Sequence, residues 1–192
     1  MKKITFLLSI IFTQFINAQS FEETKELAVQ GNTIAQASLG EMYFQGEKVV
    51  QNQEKAFYWF KKSAEKEITL AQYYLGLMYL NGLGTDKQID KAFYWLKKSA
   101  EKEYVDSFFP LGAMYHRSLG TEKDLKKALY WFTKAAEKGN TDAQVLVGYA
   151  YIVGEGTTVN LKIGASWIKK AIDNGDESAK EYWDSNELWK YL

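Results

Sequence analysis

The chain has 192 residues, of which 46% are hydrophobic and 16% aromatic, enough apolar material for a globular domain or a short repeat array and too much for a disordered chain. Its 24 Lys and Arg balance its 24 Asp and Glu, so no basic excess exists to neutralise phosphates, which argues against a nucleic-acid partner. Because it has no Cys and a single His, the sequence excludes disulfides, thiol nucleophiles and thiolate zinc sites and argues against a His-based metal site.

Residues 1–18 have the pattern of a bacterial secretory signal peptide. Two lysines precede a mostly apolar, uncharged run that ends at Ile16, and Ala18 is a small residue suited to cleavage. The run is shorter than the ~20 residues that span a bilayer, so an uncleaved anchor is the weaker alternative. No Cys follows it, which leaves a lipoprotein anchor without an attachment point. We therefore expect a mature domain of residues 19–192 that is periplasmic or secreted, with no membrane span after cleavage.

The rest of the chain repeats itself with a period of 36 residues. The segment KAFYWFKKSAEKE at 55–67 returns at 91–103 with one change. The same shift aligns Trp59, Trp95, Trp131 and Trp167, Gly40, Gly76, Gly112 and Gly148, and Tyr43, Tyr79, Tyr115 and Tyr151. A unit that buries its apolar face only against a neighbour must be repeated. The period therefore predicts four structural repeats, at approximately 35–70, 71–106, 107–142 and 143–178.

Each repeat has the pattern of two helices joined by a glycine-containing loop. In the first repeat, apolar residues from Ala35 to Tyr43 have the spacing of one buried helical stripe. Thr33 and Gln36 have the spacing of a capping box, which recurs at 69 and 72 and at 141 and 144, and predicts that first helices start at these threonines. The predicted N-caps of second helices are Asn52, Asp124 and Asn160.

A glycine stands inside every first helix, where it costs about 1 kcal/mol relative to alanine. We expect it to allow close approach of the paired helix, whose tryptophan packs nearby. Pro110, the one proline of the chain, falls inside the first helix of the third repeat. If Ser107 is a late N-cap, Pro110 occupies the third helical position, where its missing N–H costs little.

The two ends are expected to cap the array. Residues 21–32 match the second helix of a preceding unit, and residues 179–192 start in register with a following first helix. The last stretch, EYWDSNELWKYL, is unusually aromatic for a cap. It either covers the last repeat or forms a docking segment.

The segment AQYYLGLMYLNGLGTDKQIDKAFYWLKKSAEKE resembles a Sel1-like repeat, the 36-residue relative of the tetratricopeptide repeat, in its Ala…Leu-Gly…Tyr…Gly-x-Gly…Lys-Ala…Trp…Lys-Ala-Ala pattern. The resemblance covers all four repeats. It implies an all-α fold, a right-handed α-solenoid of four helix-turn-helix repeats with terminal capping helices. Three residues depart from the pattern: Lys48 and Ser118 replace loop glycines, and Gly164 replaces the usual Ala. These departures put the local loop geometries in question.

The face of the first helices opposite the buried stripe changes its residues from repeat to repeat. Much of this face is apolar although it should meet solvent, as partner sites often do. The candidate partner-binding residues are Glu41, Phe44, Tyr73, Leu77, Leu80, Phe109, His116, Arg117, Tyr149 and Ile152. We expect this concave groove to bind a peptide or protein segment, with aromatic anchors and with Arg117 selecting an acidic group. The alternative is that these side chains pack between adjacent first helices.

No constellation of acid, base and nucleophile is present, so neither a catalytic residue nor a cofactor or metal is predicted. His116 takes a place that Phe44, Leu80 and Ile152 hold in the other repeats, which favours a surface or packing role. The aromatic run from Phe57 to Phe60 recurs at helical spacing and is expected in the core rather than in a ligand box.

The resemblance implies an exported, non-enzymatic scaffold or adaptor for protein–protein interactions. One alternative is a β-lactam-binding or β-lactam-hydrolysing enzyme, because some exported, cysteine-rich Sel1-like proteins resemble the chain. Their disulfide-forming cysteines are missing here. Another alternative is a protein that binds small cell-wall fragments in the same groove.

Overall fold

The computed structural model describes residues 21–192, so the predicted signal peptide lies outside the described residues. All regular elements of this part of the chain are helices, which confirms the predicted all-α class. The chain divides into two compact units, unit 1 ending at Gln88 and unit 2 spanning Ile89–Leu192. No helix of residues 21–192 is both long enough and apolar enough to cross a membrane.

The described part of unit 1, residues 21–88, contains four helices. Residues 21–29 form α1. The next three helices are α2 (Thr33–Gln45), α3 (Gln53–Ala64) and α4 (Thr69–Asn81). Helix α3 packs against both α2 and α4. The core between them contains Leu39, Phe60 and Leu75, each fully buried. Consecutive helices therefore pack in pairs, as the repeat pattern predicts.

Unit 2 continues the same arrangement. Its α-helices are α5 (Ile89–Glu101), α6 (Phe108–Arg117), α7 (Leu125–Glu137), α8 (Thr141–Val153), α9 (Leu161–Asp173) and α10 (Glu177–Ser185). Short 3₁₀ turns lie at Val105–Ser107 and Leu188–Tyr191. From α5 to α10, each helix packs on the next along the chain. Leu111, Val147 and Ile168 lie in its buried core.

The predicted N-caps of the second helices are confirmed. The side chains of Asn52, Asp124 and Asn160 each accept a hydrogen bond from the backbone N–H three residues later. Hydrogen bonding of Asp124 to the Lys127 N–H and side chain lowers the pKa of this carboxyl group. These caps depend only on local sequence, which is why the sequence predicts them.

The capping boxes predicted for the first helices are wrong. Thr33 and Thr141 are the first helical residues, and the caps are the preceding Asn32 and Asn140. The glutamines of the expected boxes are buried and reach the previous helix instead. Gln36, Gln72 and Gln144 donate to the carbonyl oxygens of Ala28, Ala64 and Ala136, at 3.0, 3.4 and 3.0 Å. Each of these carbonyl oxygens also accepts a hydrogen bond from the backbone N–H three residues later, so the glutamine amide is its second donor and ties the first helix to the end of the preceding one.

The glycines inside first helices allow close helix approach, but not to a tryptophan. A Cβ atom on Gly40 would lie 2.8 Å from the Phe60 ring, and one on Gly112 would lie 2.7 Å from the Phe132 ring. At Gly148 the neighbour is Ile168, at 2.7 Å. In each case the contacting side chain belongs to the residue that follows the tryptophan repeated every 36 residues.

The loops keep their geometry where the expected glycine is missing. Lys48 and Ser118 adopt left-handed φ angles of 65° and 58°, close to those of Gly84 and Gly46 at equivalent positions. Gly84 also meets a steric requirement, because an added Cβ would lie 2.1 Å from the Gln53 carbonyl oxygen. The two substitutions therefore leave the loop intact and place a side chain in a backbone region that favours glycine.

The aromatic run of the second helices is only partly in the core, which corrects the prediction. Phe60 is fully buried, but Tyr58, Tyr94 and Tyr130 are 49%, 50% and 53% exposed. Each of these tyrosines meets the following tryptophan edge to face. A lysine four residues after each tyrosine covers its ring, Lys62 lying 4.9 Å from the Tyr58 centroid. These rings therefore form a solvent-facing surface on the second helices.

The third repeat and the C-terminus show two local adjustments. Helix α6 starts late, after Ser107, so Pro110 falls at the third helical position as predicted; the Ser107 hydroxyl, however, donates to Ser99 and does not cap the helix. At the C-terminus, Leu188 is buried in the cluster that contains Ile168, which is the behaviour of a cap. Trp189 and Tyr191 are exposed, and the alternative of a docking role for them stays a prediction.

Candidate functional site

The ten predicted groove residues fall into two sets of five, one in each unit. Unit 1 holds Glu41, Phe44, Tyr73, Leu77 and Leu80, and unit 2 holds Phe109, His116, Arg117, Tyr149 and Ile152. None of the ten is fully buried; Arg117 and Tyr149 are exposed and the other eight are half-buried. The face is therefore accessible in both units, as a binding surface must be.

In unit 1, part of the predicted set is occupied by internal packing. Tyr74, which the sequence reading missed, stacks on Phe60 with centroids 4.7 Å apart and planes 10° apart. Its ring lies 5.3 Å from that of Phe44, and its hydroxyl is 3.4 Å from the carboxylate of Glu41. Phe44 thus belongs to an aromatic cluster that closes the space between α2, α3 and α4. For this residue the packing alternative describes the structure better than a free anchor.

In unit 2, a polar pair stands at the corresponding end of α6. His116 Nε2 lies 3.2 Å from Glu155 Oε1, in the loop after α8. The His116 side chain is 38% exposed and that of Glu155 is 28% exposed. The imidazole ring of His116 lies beside the Phe132 ring, and the two ring centroids are 6.3 Å apart. This pair joins the third and fourth repeats and remains accessible to a ligand.

The polar pair borders a small pocket that is partly open to solvent. The apolar walls come from α7 and α8. They are Leu125, Ala128, Leu129, Phe132, Leu146, Tyr149 and Ala150. Of the predicted residues only His116 and Tyr149 line this pocket. The lining residues that the sequence analysis missed come from three elements and share no motif. One signal was present in the sequence: methionine recurs at positions 42, 78 and 114, and Ala150 takes its place in the fourth repeat.

The remaining predicted residues of unit 2 are not all available for binding. Ile152 packs against the cluster of Ala165 and Ile168, and its Cγ1 would lie 2.6 Å from a Cβ on Gly164. This contact explains why glycine replaces the usual alanine at 164. Arg117 is exposed at the last position of α6, where a cation is also favoured by the helix dipole.

Two tyrosines extend the accessible surface beyond the pocket. Tyr149 is 42% exposed and its ring centroid lies 6.3 Å from that of Tyr182 on α10. Burial raises the pKa of Tyr182, and the neighbouring Tyr149 adds to the effect, so the Tyr182 hydroxyl is protonated at neutral pH. Among residues 21–192, no group of three or more His, Asp or Glu side chains is placed to hold a metal ion.

The Sel1 repeat family model matches residues 33–67, 69–104, 111–140 and 141–176. Among solved structures, the chain is similar to a protective antigen of uropathogenic Escherichia coli strains with an SLR fold. The identity is 35% and the TM-score 0.80, with 88% of this chain and 37% of that chain covered. A Sel1 repeat protein of Oxalobacter formigenes is 30% identical, with a TM-score of 0.77 and 88% and 49% covered.

A third similar structure is cysteine-rich protein B of Helicobacter pylori. It is 25% identical, with a TM-score of 0.53, and the match covers 68% of this chain and 97% of that chain. The search of curated proteins gave no match. The chain spans about 37% and 49% of the length of the first two structures, so their full lengths contain much that has no counterpart here.

These matches confirm the predicted solenoid class and its repeat type. Proteins built from Sel1 repeats are generally scaffolds for protein interactions and are typically not enzymes.

Proposed function

Because the chain belongs to the Sel1 repeat family, we propose that it is an exported, non-enzymatic adaptor that binds a peptide or protein segment through the variable face of its first helices. The observation that carries the proposal is the accessibility of that face. Tyr149 and Leu146 are 42% and 36% exposed although both are large and apolar. Residues of this kind are the usual anchors at protein interfaces.

The chemistry of the face favours a peptide over a featureless apolar ligand. Apolar side chains alternate with a carboxylate and an imidazole that can hydrogen-bond a peptide backbone. Arg117 adds an exposed guanidinium next to His116, suited to an acidic group of the partner. The buried positions change little from repeat to repeat, whereas the positions on this face differ widely, so the face has the individuality that specific recognition needs.

Export forms the second part of the proposal. It is supported by the Lys-rich start, the uncharged apolar run and Ala18, which together fit a secretory signal. A periplasmic or secreted domain without cysteine depends on packing alone for stability. The test is to measure the mass of this protein after purification from the cell envelope. We expect the mass of residues 19–192, and the mass of the full chain would contradict export by signal-peptide cleavage.

Binding is tested by crosslinking capture from the envelope fraction, followed by titration of a synthetic peptide that covers the crosslinked segment. Tyr73→Ala and Arg117→Glu are expected to weaken that peptide's binding about tenfold or more. Tyr58→Ala and Lys162→Glu make the same kinds of change at exposed positions on second helices and serve as matched controls. Equal binding by all four variants, with unchanged circular dichroism, would refute the assignment of the face. Turnover of a chromogenic β-lactam that is lost in His116→Ala would favour the enzyme alternative instead.

A further inference from the structure

The pocket between α7 and α8 lies where one repeat lacks a side chain that the other three possess. Met42, Met78 and Met114 recur at the 36-residue period, and the fourth position is Ala150. Met78 and Met114 are 0% and 1% exposed, so this register points into the protein. At Ala150 the side chain ends at Cβ, and this residue forms part of the pocket wall.

The same place in unit 1, 72 residues earlier, is filled. There Met78 is fully buried and Tyr74 stacks on Phe60. In unit 2 the residues at these registers are Ala150 and Leu146, whereas the phenylalanine is retained as Phe132. The pocket therefore lies where a methionine side chain stands in the equivalent junction, with Leu146 in the place of the tyrosine and the aromatic wall still present.

The walls and the rim of the pocket differ in chemistry. Leu125, Leu129 and Phe132 provide apolar walls, and a thioether or methylene chain in contact with an aromatic ring is favourable. Glu155 and His116 stand at the rim. A carboxylate has about four lone-pair sites, and the contact with His116 uses one of them. The rim therefore retains acceptor capacity for a backbone N–H, which a hydrocarbon ligand would not supply.

We propose that this pocket binds one unbranched apolar side chain of a peptide ligand, methionine above all, and that Glu155 accepts a hydrogen bond from the backbone N–H of that residue. The guest side chain takes the place that methionine holds in the other three repeats. The inference names the specificity of the proposed binding face and rests on that function for the peptide nature of the ligand.

The test uses the single histidine as a reporter. The probe is N-acetyl-L-methionine methylamide, titrated into the mature chain while the ring signals of His116 are followed by NMR. We expect a saturable shift with a dissociation constant on the order of 1 mM, as befits a ligand with one small anchoring group. N-acetyl-L-alanine methylamide, which has the same backbone and no long side chain, is expected to give no saturation over the same range. Equal shifts with both probes would overturn the proposal.

Two variants separate pocket occupancy from general surface binding. Ala150→Met supplies the missing side chain from within, so we expect about tenfold weaker probe binding or more and a higher melting temperature. Ser166→Met adds the same side chain at an exposed position on α9 and is expected to leave probe binding unchanged. Probe binding by Ala150→Met that equals that of the unmodified chain, or a lower melting temperature, would overturn the proposal, because either result means that methionine does not fit the pocket.

Failure of this inference and failure of the proposed function give different results. If Arg117→Glu and Tyr73→Ala weaken binding of the captured peptide while the methionine probe causes no saturable shift of the His116 signals, only the pocket assignment is refuted. If the probe binds as expected while both groove variants retain full peptide binding, the pocket stands and the wider face is not the binding surface.

Discussion

The junction of α2, α3 and α4 in unit 1 and the junction of α6, α7 and α8 in unit 2 are built on the same register, 72 residues apart, and are filled differently. Both have a helix glycine against a phenylalanine ring, Gly40 against Phe60 and Gly112 against Phe132. Unit 1 then closes the space with aromatic stacking by Tyr74, whereas unit 2 leaves a pocket at Leu146.

The difference teaches where specificity resides in a repeat protein. The close glycine contacts set the backbone frame and must recur, because any side chain there forces the helices apart. The neighbouring registers do not set the frame, so they are free to fill the junction or to open it. A repeat can therefore open a pocket by replacing a methionine and a tyrosine with smaller residues, without any change of fold.

The largest expected effect comes from opening the filled junction. Met78 is fully buried, so Met78→Ala should destabilise the protein by about 2–5 kcal/mol through lost burial and the cavity left behind. Urea unfolding followed by tryptophan fluorescence measures this change. A loss below about 1 kcal/mol would show that the unit 1 junction is as loosely filled as the one in unit 2, which would contradict the comparison.

A methyl group added at the helix glycines should distinguish the two junctions. In Gly40→Ala the displaced Phe60 ring is held by Tyr74, so overpacking of about 1–3 kcal/mol should exceed the ~1 kcal/mol gain in helix propensity. In Gly112→Ala the Phe132 ring borders the pocket and has room to shift, so the net loss should be smaller. Thermal melts of the two variants provide the measurement, and an equal or larger loss for Gly112→Ala would contradict the difference in filling.

The buried glutamines allow a third comparison. Gln144 donates to the Ala136 carbonyl at 3.0 Å and accepts from Asn174 at 3.0 Å, so Gln144→Leu should cost about 1 kcal/mol, because both hydrogen bonds are lost although the Ala136 carbonyl keeps the bond from the Gly139 N–H. Gln72 makes two longer hydrogen bonds, donating to the Ala64 carbonyl at 3.4 Å and to the Glu67 carboxylate at 3.3 Å, and its Oε1 has no hydrogen-bond partner within residues 21–192. Gln72→Leu should therefore cost less. Reversal of this order in chemical denaturation would show that the two hydrogen bonds do not differ as the structure indicates.

The smallest expected effect concerns the loop after each first helix. Ser118 has a left-handed φ of 58°, and its counterpart 72 residues earlier is Gly46, with φ 73°. Ser118→Gly should raise the unfolding free energy by about 0.5 kcal/mol, because glycine relieves the strain at some cost in unfolded-state entropy. Gly46→Ser should have the opposite sign. A melting temperature lowered by Ser118→Gly would mean that the serine side chain contributes an interaction larger than the backbone strain.

Local signals were read correctly from the sequence, and signals that depend on three helices were not. Asn52, Asp124 and Asn160 cap their helices as predicted because the hydrogen bond spans three residues. The glutamine at 144 looked like part of a capping box, yet its partner is a carbonyl on the preceding helix. A spacing of three residues cannot distinguish a capping-box glutamine from one that bonds to another helix. The carbonyl on the preceding helix becomes a neighbour of the glutamine only when the helices pack.

Prediction of the site succeeded and failed for the same reasons: patterns along the sequence were readable, and contacts between helices were not. The variable face was predicted, since repetition separates invariant from variable registers. The exposure of Tyr58 was misjudged, and Phe44 follows the packing alternative that the sequence left open, because helical periodicity gives the direction of a side chain and not the neighbours that cover it. The pocket required Glu155, Leu129 and Ala150 from three separate elements, and only the interruption of the methionine register hinted at it.

The hydrogen bond from each buried glutamine to the preceding helix has a consequence for how such a chain evolves. Its acceptor at Ala28, Ala64 and Ala136 is a main-chain carbonyl, which every amino acid provides. A newly duplicated segment that carries the glutamine therefore finds this acceptor on its parent copy without any compensating mutation. Duplication of whole repeats and later mutation of the exposed positions are then independent events. The array can become longer by duplication without a change in the residues of an existing binding surface.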